Sequence, residues 1–219
     1  AAAPELHRSV ANLAQRSGLP MPRIFIIPDA TPNAFATGRS PHHAVIAVTE
    51  GLLRIMQEDE LAGVLAHELA HVRNRDTLIM AVAATMAATI TFIADMARWA
   101  LIFGHDREEN NNPIGDLLLL MLAPLAAMLI QLAVSRSREF AADASAAKLT
   151  GRPLSLANGL LQLERANQVQ PLHHATPATA HLFIVNPFGA GGLIMRMFST
   201  HPSIQQRVER LRQMATLPV

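Results

Sequence analysis

Apolar positions change their spacing along the chain, and each change predicts a different element. Leu6, Val10, Leu13 and Ala14 recur at intervals of three and four, predicting an amphipathic helix over 4–17 that stops at Gly18. Two β-branched runs follow, 23–27 and 44–49, bounded by Pro28 and Pro41; they predict short strands, with 33–38 between them as a third strand or a loop. Helical spacing then returns in Leu61, Val64, Leu65, Leu69 and Val72, behind an acidic Glu58-Asp59-Glu60 cluster suited to a helix N-terminus.

Residues 77–94 and 117–134 are each eighteen positions without a charge, close to the roughly 20 needed to span a bilayer. The polar stretch 104–113, with Asp106, Arg107, Glu108 and Glu109, joins them. The expectation is an antiparallel transmembrane hairpin over 77–134, inserted into one domain covering 1–219. Arg73 and Arg75 precede the first run, and Arg136 and Arg138 follow the second, so the positive-inside tendency puts both outer ends in the cytoplasm.

Composition agrees with a lipid partner: half the 219 residues are hydrophobic, 16% are charged, and the mean hydropathy is +0.22. A net charge of +1 carries no nucleic-acid footprint. With no cysteine, thiol catalysis and Cys-based zinc sites are excluded, and a metal must be held by His, Asp and Glu. The opening Ala1-Ala2-Ala3-Pro4 lacks a basic n-region and an apolar h-region, so it reads as the start of a fragment without a signal peptide.

The chemistry is concentrated in His67-Glu68-Leu69-Ala70-His71. Two imidazoles one helical turn apart can both reach a tetrahedral Zn²⁺ at about 2.0–2.1 Å, one ion per chain. Glu68 then lies beside the metal, where a carboxylate takes a proton from metal-activated water and returns it to the leaving amine. A catalytic site needs a third protein ligand. Asn74 and Thr77 stand where a metzincin would have Gly and His, so that ligand comes from farther away.

Glu139, just after the second apolar run, is the candidate: a hairpin returns the chain beside His71. Asp143, four residues on, would accept a hydrogen bond from a ligand imidazole. Taken alone, Arg138–Asp143 reads equally well as a charged surface patch; the vacant ligand position favours the metal site.

With these motifs the chain resembles the HtpX family of membrane metallopeptidases, bacterial relatives of the endopeptidases that process prenylated proteins. The resemblance rests on Pro32-Asn33-Ala34-Phe35-Ala36-Thr37-Gly38, the stretch from His67 to Asp76, Arg138-Glu139-Phe140-Ala141-Ala142-Asp143, and Phe198-Ser199-Thr200-His201-Pro202. It implies that His67, His71 and Glu139 bind zinc and that Glu68 is the general base and acid. It also implies that His201 stabilises the oxyanion, that Arg207 anchors acidic groups around the site, and that two further transmembrane helices lie upstream.

The implied activity is degradation of damaged or misfolded membrane proteins in stress response and quality control. The implied location is the bacterial inner membrane, multi-pass, with the site facing the cytoplasm. His201 otherwise reads as an ordinary helix-start residue before Pro202. Asn33, Ala34, Phe35 and Ala36 offer a strand edge to an extended peptide, although a turn ordered by Pro32 and Gly38 accounts for them as well.

The expected fold is mainly α (α+β): a zincin-like metallopeptidase domain with a small N-terminal sheet and the inserted two-helix hairpin. Two rivals differ in class. One is a zinc-stabilised membrane scaffold without turnover, which has no use for Glu68. The other is a soluble zinc hydrolase whose apolar hairpin is an oligomer interface.

Overall fold

A computed structural model describes residues 3–103, 113–169 and 202–216. Helix α1 (Pro4–Ser17) ends at Gly18, whose left-handed φ of 70° lets its N–H and that of Leu19 close on carbonyls of the last turn. Strands β1 (Arg23–Ile27), β2 (Ala34–Thr37) and β3 (Val45–Thr49) form one mixed sheet in the order β1-β3-β2, with β1 parallel and β2 antiparallel to β3. β3 is central and buried along most of its length, which is why it reads as an unbroken apolar run. The 33–38 segment supplies an edge strand.

Helix α2 (Glu50–Ile55) leads into α3 (Glu58–Asn74). The Glu60 carboxylate accepts the Gln57 N–H at 3.1 Å, and Glu58, Asp59 and Glu60 place negative charge against the exposed N–H groups of the first turn. α3 stops because Arg75 turns left-handed, φ 55°; it is the one non-glycine with positive φ among the described residues. Then come α4 (Asp76–Phe103), α5 (Pro113–Thr150), α6 (Pro153–Val169) and α7 (Ile204–Thr216).

The chain forms two compact units, Ala1–Thr77 with Arg136–Val219, and Leu78–Ser135. In the first, Leu65 and Leu69 of α3 pack in a core with Val10, Ile46, Val48, Leu156, Leu160, Val208 and Leu211. Gly63 lets α6 approach α3 closely, since a Cβ there would sit 3.0 Å from the Leu156 Cα. Gly63→Val adds branched methyls against backbone that cannot retreat. We expect a loss of about 1–3 kcal/mol, read as a lowered thermal midpoint by circular dichroism; an unchanged midpoint would show that α6 can shift freely.

The second unit holds most of α4. Asp76–Ala97 is 22 residues, long and apolar enough to cross a membrane, and Val82, Met86, Phe92, Ile93 and Met96 on it are exposed. At 1.5 Å per residue it reaches about 33 Å, against a hydrocarbon core of about 30 Å. Thr85, Thr89 and Thr91 donate their hydroxyls to carbonyls four residues back at 2.8–2.9 Å, satisfying them within the helix. The second expected span, 117–134, begins on side chains outside the described set; α4 alone meets the spanning criteria among the described residues.

Candidate metal centre

Because α3 is regular through 67–71, His67 and His71 emerge one turn apart on one side. Their rings lie 4.6 Å apart, edge to face, with the two Nε2 atoms 3.0 Å from each other. Glu139 arrives from α5 with Oε2 3.5 Å from His67 Nε2 and Oε1 3.6 Å from His71 Nε2. One ligand atom from each of the three residues lies within 4.8 Å of the others.

The outer ring nitrogens decide the tautomers. His67 Nδ1 lies 3.0 Å from Asp143 Oδ1, and His71 Nδ1 lies 2.7 Å from Asp76 Oδ2. A carboxylate accepts only, so each Nδ1 carries a hydrogen and each Nε2, once deprotonated, presents a lone pair. Two lone pairs and a carboxylate therefore converge, an arrangement that repels itself unless a positive charge enters. The donor set, two imidazoles and one carboxylate, fits Zn²⁺.

The electrostatics point the same way. Burial and the Arg207 cation lower the His67 pKa, but contacts with Asp143 and Glu139 prevail and raise it to about 9. What draws a proton there would draw a dication.

Arg207, fully buried on α7, donates Nε–H to Asp143 Oδ2 at 2.8 Å and Nη2–H to Asp143 Oδ1 at 2.7 Å, with Nη1 3.3 Å from Glu139 Oε2. Burial alone would raise the Asp143 pKa; Arg207 and His67 outweigh it and hold the carboxyl well below the usual range. Arg207 itself, despite burial, is raised by Asp143, Glu139 and Glu68, so it stays charged.

Glu68 is buried beside the ligands, and its Oε2 accepts the Ala36 N–H at 2.8 Å. The ladder explains this contact. Asn33 spends its backbone on Thr49, accepting the Thr49 N–H at 3.0 Å and donating to Thr49 Oγ1 at 2.8 Å. By alternation, Phe35 faces β3 while Ala34 and Ala36 turn their backbone groups outward. Of the four residues expected at a peptide-binding edge, the outward backbone belongs to Ala34 and Ala36. His201 lies outside the described residues.

Two residues given no role in the site by sequence reasoning belong to it. Asp76 accepts from His71, and Arg138 donates Nε–H to Asp76 Oδ1 at 2.5 Å, with its Nη2 on the same oxygen. Periodicity could not reveal Asp76, since five residues along a continuous helix would set it about 140° around from His71.

A family model described as Peptidase family M48 matches residues 1–215. The chain is 56% identical over 216 residues to a protease HtpX homolog of Thermococcus kodakarensis, covering 97% of this chain and 74% of that protein. It is 54% identical over 215 residues to the homolog of Pyrococcus furiosus, with the same coverages. Against the homolog of Syntrophotalea carbinolica it is 53% identical over 211 residues, covering 95% and 75%.

Among solved structures, the crystal structure of S. mikatae Ste24p matches with a TM-score of 0.61 at 23% identity over 94% of this chain. The chain spans 49% of that protein, about half its length, and the likeness speaks for the fold alone. The family match extends over every residue that carries the site, and the chain belongs to peptidase family M48, a family of metallopeptidases.

Proposed function

We propose that the chain is a zinc-dependent endopeptidase that hydrolyses peptide bonds of damaged or misfolded membrane proteins. The observation that carries this reading is the convergence of His67 Nε2, His71 Nε2 and Glu139 with Glu68 buried beside them. His67, His71 and Glu139 would hold one Zn²⁺, which when bound polarises the scissile carbonyl and makes water more acidic. Glu68 takes the proton of the attacking water and passes it to the departing nitrogen. Asp143 and Asp76 keep the two imidazoles in the ligating tautomer, and Arg207 keeps Asp143 ionised while its Nη1 lies 3.3 Å from Glu139.

The outward backbone of Ala34 and the outward carbonyl of Ala36, whose N–H is taken by Glu68, support docking of an extended peptide along β2, a mode that tolerates many side-chain sequences. His201 is assigned to the oxyanion by family resemblance. The apolar insert 77–134 anchors the domain as a hairpin in the bacterial inner membrane, with the site on the cytoplasmic side. That fits the exposed apolar face of α4 and the arginines at both ends of the insert.

Zinc content and casein cleavage, measured together in detergent with and without a chelator, test the reading. The unmodified chain is expected to hold one zinc and to cleave in a chelator-sensitive way. Glu139→Ala is expected to lose both. A variant that keeps both properties would show that Glu139 is not the third ligand.

A further inference from the structure

Asp76 occupies a position that its bland role, an acid in the first turn of α4, does not require. It is buried, and it spends one oxygen on each of two partners: Oδ2 on His71 Nδ1 at 2.7 Å and Oδ1 on Arg138. It reaches His71 only because Arg75 breaks the helix in a left-handed conformation, φ 55°, which a non-glycine residue adopts at a cost of roughly 1 kcal/mol. The strain is stored at the junction that swings Asp76 back onto a ligand.

His71 needs that partner more than His67 does. The His67 side chain is 3% exposed and is held by Asp143 within reach of Arg207; the His71 side chain is 22% exposed. Arg138, the partner of Asp76, immediately precedes Glu139 on α5. Fixing the Arg138 guanidinium on Asp76 therefore fixes the turn of α5 that presents Glu139 to His67 and His71.

We infer that Asp76 is a positioning residue that sets two of the three donors, His71 directly and Glu139 through Arg138. This rests on the zinc-peptidase reading above. The Asp76–Arg138 pair makes the centre depend on the first turn of α4 and the 136–139 stretch of α5 being held together. It is the counterpart, for His71, of the Asp143–Arg207 pair that serves His67.

The test uses the full chain in detergent. The zinc dissociation constant is measured by competition with a chromophoric chelator, the absorption spectrum is taken after Co²⁺ substitution, and thermal midpoints are recorded alongside. Asp76→Asn is expected to weaken zinc binding by about 10–100-fold and to change the Co²⁺ bands. Arg138→Gln is expected to weaken binding by less and in the same direction. The double variant should bind no more weakly than Asp76→Asn alone, because the arginine acts through the aspartate.

A lowered thermal midpoint with zinc affinity within twofold of the parent and unchanged Co²⁺ bands would reduce the pair to a structural ion pair and overturn the inference. Additive losses in the double variant would remove Arg138 from it. Should Asp76→Asn fail to fold, Arg138→Gln decides by the same measurements. Zinc bound by the parent with no change in the variants refutes this inference alone; a parent that binds no zinc refutes the peptidase reading itself.

Discussion

Glu68→Gln is expected to retain one zinc per chain while losing about 10²–10⁴-fold in kcat/KM on a peptide substrate, the range for removal of a positioned general base. The substitution is close to isosteric. A glutamine carbonyl can still accept the Ala36 N–H that now reaches Glu68 Oε2 at 2.8 Å, so the strand edge and α3 keep their relation. What disappears is the group that can take a proton, worth about 3–5 kcal/mol of barrier at 1.36 kcal/mol per tenfold.

Zinc content by atomic absorption and cleavage of a fluorogenic peptide, measured on one preparation, separate the readings. Proteolysis at the parental rate would end the general-base mechanism and return the scaffold to consideration. Loss of zinc as well would make Glu68 a ligand.

Arg207→Met should destabilise the chain by about 3–5 kcal/mol, the usual consequence of removing one partner from a buried ion pair. Arg207 is wholly buried, and its fork is spent on both oxygens of Asp143. Methionine fills much of the same volume but leaves Asp143 and Glu139 as buried carboxylates without their cation. Chemical denaturation in a chelator, so that bound metal does not mask the loss, reads the effect.

Adding Asp143→Leu to Arg207→Met should recover part of the stability, since replacing both members of a buried pair with apolar groups is often neutral. It should not recover zinc binding, because His67 loses the acceptor of its Nδ1–H. A single variant as stable as the parent would show that water reaches the two carboxylates. The pair also has a pH signature. The folded-state pKa of Asp143 is depressed, so its contribution is present above the unfolded carboxyl pKa and is lost as pH falls below it.

The elements that could be read from the chain are those whose cause is local. Leu6, Val10, Leu13 and Ala14 line one side of α1 because the helix repeats every 3.6 residues, and Gly18 ends it because a left-handed residue without a Cβ costs little. The same repeat puts His67 and His71 on one side of α3, and the β-branched runs 23–27 and 44–49 mark β1 and β3. Glu139 could be nominated because an uncharged run going out and another coming back must return the chain near its starting point. The structure brings Glu139 to both imidazoles.

Other features depend on distances between segments, which no local repeat encodes. Within 33–38, Ala34–Thr37 becomes an edge strand because β3 pairs there in a particular register, and that register alone aims the Ala36 N–H at Glu68. Asp76 joins the centre because the backbone turns left-handed at Arg75, a choice that nothing about an arginine announces. Arg138 had a sufficient explanation as a positive charge flanking an apolar run, and only packing reveals that its guanidinium is committed to Asp76. The sequence by itself determined which residue types could bind a metal and which helix would carry two of them, because hydrogen-bond periodicity acts over a few residues. Tertiary structure decided which carboxylate serves which imidazole, because that depends on where separate helices meet.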